Sequence, residues 1–334
     1  MFSFHVMGGR DVRAVIEKSR PEIFACVRET YLAHHRGDTI NPDSYFLRFP
    51  EKPDARIIAL PALLRGNPPV AGLKWISSFP GNVARNIPRA SAVLILNDFE
   101  TGNPFACLEA AQISAARTAA SAVLAAQELH GSRAAGKIAV VGAGVISRNI
   151  LEFLRALDWT VDVVAVHDTV SAYAEKMADY AGTLGYRGLV CDRLVEAVDG
   201  ADVVVLATTA SEPHITGGGV FAPGQTVLNI SLRDIAPEII AASLNVLDDI
   251  EHCLNAGTSP DLAVRKFGHR DFIEGTIAQL LLGEIVASPD KPRIFSPFGL
   301  GVLDLAVGRE IFAIGAGASL PVAVPDFFAE VERW

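Results

Sequence analysis

The chain has 334 residues, half of them hydrophobic and a fifth charged, with a formal net charge of −9. That length allows two domains and a large core, and an acidic balance with scattered Lys and Arg argues against a nucleic-acid surface. No apolar run reaches the length that crosses a membrane, and the first residues lack the basic-then-apolar pattern of a secretory signal, so a soluble cytoplasmic protein is expected.

In chain order, residues 1–109 contain short β-like runs: RIIALPAL (56–63), AGLKWI (71–76) and AVLILND (92–98), separated by turns rich in Pro, Gly and Asn. Lys74 stands inside the second run. A strand lysine must reach water with its stem or find a negative partner, because burying an unpaired ammonium is costly. Read alone, the segment fits a snorkelling lysine. EAAQISAARTAASAVLAAQELH (109–130) is dense in alanine and closed by Gly131, which predicts a long helix. Arg117 interrupts its apolar face, a costly place for an unpaired charge.

From residue 136 strands and amphipathic helices alternate. KIAVVGAG (137–144), VDVVAVHD (161–168), GLVCD, DVVVLATTA (202–210), QTVLNIS (225–231) and LNVLDD (244–249) read as strands, with helices such as VISRNILEFLRAL (145–157) between them. Continuous Val/Ile runs with intervening helices predict a parallel sheet covered on both faces. IFSPFGLGVLDLA (294–306) reads as a returning strand and a glycine-bearing helix start. A helical run from about Leu303 and a Pro-containing tail are expected to pack back on the first domain. The four cysteines (Cys26, Cys107, Cys191, Cys253) form no CxxC pair and have no His at metal-ligand spacing, so free thiols and no metal are expected.

GAGVIS (142–147) lies between a strand and a helix, where a dinucleotide-binding turn belongs. Gly142 allows the tight turn, Gly144 lets the backbone approach a pyrophosphate, and Ser147 supplies the small third residue. Val145 and Ile146 open the helix whose N-terminal amides and dipole favour phosphate. The next strand ends in Asp168, 26 residues after Gly142, near the offset of a ribose-binding acid. Asp168 would repel a 2′-phosphate, which favours NAD over NADP. Thr208, Thr209 and, more weakly, Ser296, Gly299 and Gly301 are candidates on the same rim. Asp304 caps or pairs, and His214 follows the TTAS rim within reach of a ligand.

Three segments carry a resemblance: LK before an aromatic (73–75), LNDFETGNPFACLEA (96–110) and ISAARTAASAVLAA (113–126). With the GAG turn, they make the chain similar to the ornithine cyclodeaminase/mu-crystallin family along nearly its whole length. The resemblance implies an α/β fold. A Rossmann-type parallel-sheet domain (116–305) is inserted into an α+β substrate-binding and dimerisation domain (1–115 plus 306–334). It also implies an NAD cofactor, an amino-acid substrate and a homodimer. Carried over, Arg48 and Arg117 would hold a substrate carboxylate and Lys74 would sit beside the reacting carbon. Asp234 would be the acid/base facing it from the other domain. Bidentate arginine suits a carboxylate, and a buried lysine has a lowered pKa suited to proton exchange.

The chain departs from ornithine cyclodeaminases at ARNIPRASAVLIL (84–96), and at Ile58 and Ala59, where an acid for ornithine's distal ammonium belongs. A negative charge is lost and Arg85 and Arg89 are gained, which suits a substrate richer in carboxylates. With VLDD (246–249), the pattern resembles a branch that oxidatively hydrolyses N-(2-amino-2-carboxyethyl)-L-glutamate. The products there are L-2,3-diaminopropionate, for siderophores or peptide antibiotics, and 2-oxoglutarate. The alternatives are ornithine cyclodeamination, imine or ketimine reduction, amino-acid dehydrogenation, and a mu-crystallin-like protein that binds without turnover.

Overall fold

The computed structural model describes residues 3–330. The chain forms two compact units. One runs up to Arg117 and resumes at Leu300; the other is Thr118–Gly299.

The first unit is built on an eight-stranded sheet. Its order is Val322–Val324, Phe4–Met7, Pro104–Glu109, Ala90–Asp98, Val70–Ser78, Lys52–Leu64 and Thr39–Ile40, with Tyr45–Phe49 also paired to Lys52–Leu64. The pairings are antiparallel except that of Phe4–Met7 with Pro104–Glu109. Side chains alternate across a strand, so register decides which face each residue joins. Leu60, Lys74, Leu94 and Leu108 form one cross-strand row, and all four are buried. The C-terminal helix Gly301–Gly317 packs on that face. Two glycines permit the close approach: a Cβ on Gly72 would lie 2.5 Å from Leu305 Cδ1, and one on Gly308 would lie 2.0 Å from Leu94 Cδ2. Asn41 Oδ1 accepts from Val302 N at 3.0 Å and so caps the helix start from a distant loop.

Two N-terminal helices, Gly9–Lys18 and Arg20–His35, precede the β-like runs and were not expected. Their signal was present. Val12, Val15 and Ile16, then Ile23, Phe24, Val27 and Tyr31, recur at helical spacing and are buried. Pro21 sits in the first turn of the second helix, where a proline starts a helix rather than breaking it.

The second unit is an eight-stranded sheet in which every pairing is parallel. Its order is Arg187–Val190, Thr160–His167, Ala134–Val141, Val203–Leu206, Thr226–Asn229, Arg293–Ser296, Leu244–Leu247 and Ile273–Thr276. The strands Val203–Leu206, Thr226–Asn229 and Leu244–Leu247 are buried at every residue. A sheet covered on both faces accounts for their unbroken apolar runs. A parallel sheet inserted into a mixed-sheet unit is the expected fold class. The strand 203–206 is shorter than the run 202–210 that announced it, because Ala207 to Ala210 leave the ladder and form the rim. No described helix is long and apolar enough to cross a membrane.

Candidate active site

In the first unit a buried charge cluster centres on Asp304. Its Oδ2 accepts from Lys74 Nζ at 2.5 Å and its Oδ1 from Arg117 Nε at 3.1 Å. Lys74 also donates to Ser114 Oγ at 3.2 Å. The side chains of Lys74 and Asp304 are 2% and 0% exposed. Three elements assemble the cluster: the strand Val70–Ser78, the first turns of Ala111–His130 and the first turn of Gly301–Gly317. Ser114 and Arg117 share a helix face at i, i+3. Glu109 starts that helix, its carboxylate accepting from the amides of Ala111 and Gln112.

Burial pulls the Lys74 ammonium down most strongly, Asp304 raises it and Arg117 lowers it, leaving it at about 8 instead of 10.5. For Asp304 burial pushes upward, but Arg117 and Lys74 together outweigh it and hold the carboxyl below its ordinary range. Two cations face one anion, so the cluster carries an excess positive charge in a low-dielectric setting. An anionic ligand group is the natural complement.

Register places further arginines on the Lys74 face. Arg48 lies opposite Arg56, and Arg56 opposite Ser78, four residues along the strand from Lys74. Arg89 joins this row, donating Nε to Ser78 Oγ at 3.3 Å, and its guanidinium is pulled down by burial. The Arg48 guanidinium sits 5.0 Å over the Phe46 ring. Arg85 lies in the exposed turn Pro80–Arg85, outside the row. Only the register reveals that Arg56 stands directly opposite Arg48.

In the second unit the glycine turn follows the strand Ala134–Val141. Gly142 has φ +91°, and a Cβ there would lie 2.6 Å from Ala207 O, so only glycine fits. Ser147 is buried and donates to Gly142 O at 2.5 Å. A Cβ on Gly144 would meet nothing within 4 Å, which leaves room for a ligand at the start of the helix Val145–Ala156. Val145 is half exposed and Ile146 partly buried. Asp168 accepts from Ala143 N at 2.7 Å and Val170 N at 2.9 Å, one bond on each oxygen. A carboxylate has about four lone-pair sites, so capacity remains for two ribose hydroxyls. A cavity of about 320 Å³ opens beside the turn, lined by Gly144, Val145, Arg148, Tyr173 and Lys176 among others. The open amides, the small turn residues and the acid fit a dinucleotide.

The rest of the rim is less open. Asp234 is fully buried; it accepts from Thr208 Oγ1 at 2.8 Å and from Ser231 Oγ at 2.5 Å, with His214 Nε2 at 3.5 Å from its Oδ2. Thr208 therefore serves Asp234, while Thr209 is exposed. Ser296 is 1% exposed and its hydroxyl accepts from Asn229 Nδ2 at 3.1 Å. Asp248, buried and pushed up by that burial, accepts from the amides of Phe298 and Gly299 and so pins the segment after Ser296. Asp248 was legible only as part of VLDD. Asp304 stood in view as a residue that caps or pairs, and its partners lie far away in sequence. All four cysteines are free; Cys191 and Cys253 are buried, Cys26 and Cys107 partly so.

Residues 12–313 match the ornithine cyclodeaminase/mu-crystallin family. The chain is 30% identical over 294 residues to N-((2S)-2-amino-2-carboxyethyl)-L-glutamate dehydrogenase of Staphylococcus aureus, covering 85% of this chain and 87% of that one. It is also 30% identical over 307 residues to an alanine dehydrogenase of Archaeoglobus fulgidus, covering 88% and 90%. Among solved structures, an archaeal alanine dehydrogenase dimer with bound NAD superimposes with a TM-score of 0.86 at 25% identity, over 98% of this chain and 100% of that one. A Thermococcus litoralis Delta(1)-pyrroline-2-carboxylate reductase shares the fold with a TM-score of 0.88 at 22% identity, over 96% and 100%.

Proposed function

We infer the reaction from one premise: this chain belongs to the ornithine cyclodeaminase/mu-crystallin family. It is a nicotinamide-dependent oxidoreductase that works at a carbon–nitrogen bond of an amino acid. Within that class, the reading supported best is NAD-dependent oxidative hydrolysis of N-(2-amino-2-carboxyethyl)-L-glutamate to L-2,3-diaminopropionate and 2-oxoglutarate. The product is a building block for a siderophore or peptide antibiotic.

The observation that carries this reading is the arrangement of cations on one sheet face. Lys74 and Arg117 leave an excess positive charge around Asp304. Arg48 and Arg89 lie at the row of Ser78, four residues along the strand, about 13 Å away at 3.3 Å per residue. A substrate with carboxylates at both ends uses both groups; alanine, with one carboxylate, uses one. No acid stands at Ile58 or Ala59 for a distal ammonium.

The bound nicotinamide supplies the hydride acceptor. The protein's part is to orient and to move protons. Arg117 clamps the carboxylate next to the reacting carbon. Lys74, with its pKa near 8, exchanges a proton there near neutrality. Asp234 belongs to the proton-moving machinery of the second unit. The cofactor is NAD rather than NADP because the Asp168 carboxylate repels a 2′-phosphate. Gly142, Gly144, Val145 and Ile146 form the phosphate turn. We place the protein in the cytoplasm, where its four free thiols stay reduced.

The chain pairs with a second copy through the outer face of its mixed sheet, which carries Tyr45, Trp75 and Val93 in one cross-strand row. These residues are 66%, 39% and 39% exposed.

The test is to incubate the protein with NAD and, separately, the tricarboxylate amine, L-alanine and L-ornithine, following NADH absorbance and the products. NADH with 2-oxoglutarate from the first alone is the expected result. NADH with pyruvate and ammonia from alanine, or proline and ammonia from ornithine without net NADH, overturns the substrate assignment. Silence in all three points to a protein that holds its ligand without turnover.

A further inference from the structure

We propose that Ser114 is a positioning residue for Lys74. Its hydroxyl stays bonded to Nζ whether Lys74 carries its proton or has given it up, and it passes that proton on. The inference rests on the reading of Lys74 as a proton-exchanging group, but not on which amino acid is oxidised.

The Lys74 side chain is 2% exposed, and an ammonium has three N–H donors to place. Asp304 Oδ2 takes one at 2.5 Å and Ser114 Oγ takes a second at 3.2 Å. Arg117 is the other charged group that faces Lys74, and its Nε is committed to Asp304 Oδ1 at 3.1 Å. Across the sheet the neighbours of Lys74 are Leu60 and Leu94, both apolar. At about 8, Lys74 changes protonation near neutrality, so its partners must serve an amine as well as an ammonium. They differ in this. An ionised carboxylate can only accept, so Asp304 has nothing to offer the lone pair that deprotonation uncovers. A hydroxyl both donates and accepts, and Ser114 is the hydroxyl bonded to Nζ. Its helix holds it there: the Ser114 amide donates to Ala110 O at 2.9 Å. Among the described residues, no acceptor takes the hydroxyl proton itself, so that proton is available to leave. Ser114 is also partly exposed, where Lys74 is buried.

The step balances without any change of oxidation state. A proton moves from Nζ to Oγ as Oγ releases its own proton to water. One N–H bond breaks, one O–H bond forms and one O–H bond breaks, so Ser114 ends as a hydroxyl and Lys74 as an amine. The proton that has moved lies between Oγ and Nζ, and the hydroxyl now donates to the amine. The reverse sequence recharges Lys74.

Two measurements test this. The first is kinetic, on Ser114→Ala and Ser114→Thr with whichever amino acid the wild-type protein oxidises. For Ser114→Ala we expect kcat to fall about 10-fold or more. The limb of the kcat/KM profile governed by Lys74 should also move to lower pH. A bond to the ammonium is stronger than one to the amine, so its loss disfavours the charged form. Ser114→Thr keeps the hydroxyl and should recover most of both effects. A limb that stays near 8 in Ser114→Ala, with or without a fall in kcat, leaves Ser114 a packing residue and overturns the proposal. A threonine variant no better than the alanine variant overturns it too. The second measurement needs no substrate: the Lys74 ammonium is titrated by NMR in the wild type and in Ser114→Ala. A lower midpoint in the variant supports the pair, and an unchanged midpoint overturns it. A wild-type protein that oxidises no amino acid defeats the reading of the reaction and leaves this titration in force.

Discussion

Lys74 is held between opposing pulls: burial and Arg117 lower its pKa, and Asp304 raises it. This makes Asp304→Asn informative twice. Removing the carboxylate takes away the influence that raises Lys74, so the limb of the kcat/KM profile governed by Lys74 moves from about 8 to lower pH. A limb that stays in place shows that Lys74 does not govern it. The same substitution leaves two buried cations without an anion and costs about 3–5 kcal/mol in chemical denaturation. The linkage signs differ between partners. Lys74 has a folded pKa below its unfolded value, so between about 8 and 10.5 the unfolded chain binds more protons and stability rises with pH. Asp304 is held below its ordinary range, so its contribution is present above the ordinary carboxylate pKa and is lost as pH falls through the lowered folded value. Arg117 was legible at this scale because an arginine in an alanine-rich helix face demands a partner. Its partner, 187 residues away, was not.

At the scale of elements, the glycine turn was the most legible feature, since strand, turn, helix and acid are contiguous. Asp168→Ala tests it. NAD binding weakens by about tenfold, a loss of about 1.4 kcal/mol, and the preference over NADP narrows. The check is KM for each cofactor, and an unchanged NAD/NADP ratio removes Asp168 from the ribose site. The mixed sheet was harder to read. Three of its strands were read as runs, but the rows they form depend on register, and a slip of one residue moves a side chain to the other face. Register alone sets Arg56 beside Arg48. The N-terminal helices lie before the first β-like run at residue 56, and their signal is the helical spacing of Val12, Val15 and Ile16.

At the scale of the whole molecule, the dimer proposal rests on the outer face of the mixed sheet. Tyr45, Trp75 and Val93 stand in one exposed apolar row, and exposed apolar patches mark interaction sites. Trp75→Asp puts a charge in the middle of that row. Light scattering after size exclusion should show the wild type as a dimer and the variant shifted toward monomer. A monomeric wild type ends the dimer proposal.

The sequence by itself determined the parallel sheet and the cofactor turn, because each is written in contiguous residues whose periodicity or spacing acts over a few turns of chain, and three of its segments carried the resemblance to the family. Only the tertiary structure decided the charge chemistry. Lys74 and Asp304 are 230 residues apart and meet because glycines at 72 and 308 let a helix settle on the sheet. The enclosure of Asp234 beside an exposed His214 likewise depends on two loops folding against each other. Burial and partner set a group's proton affinity, and both are properties of the packed chain rather than of its local sequence.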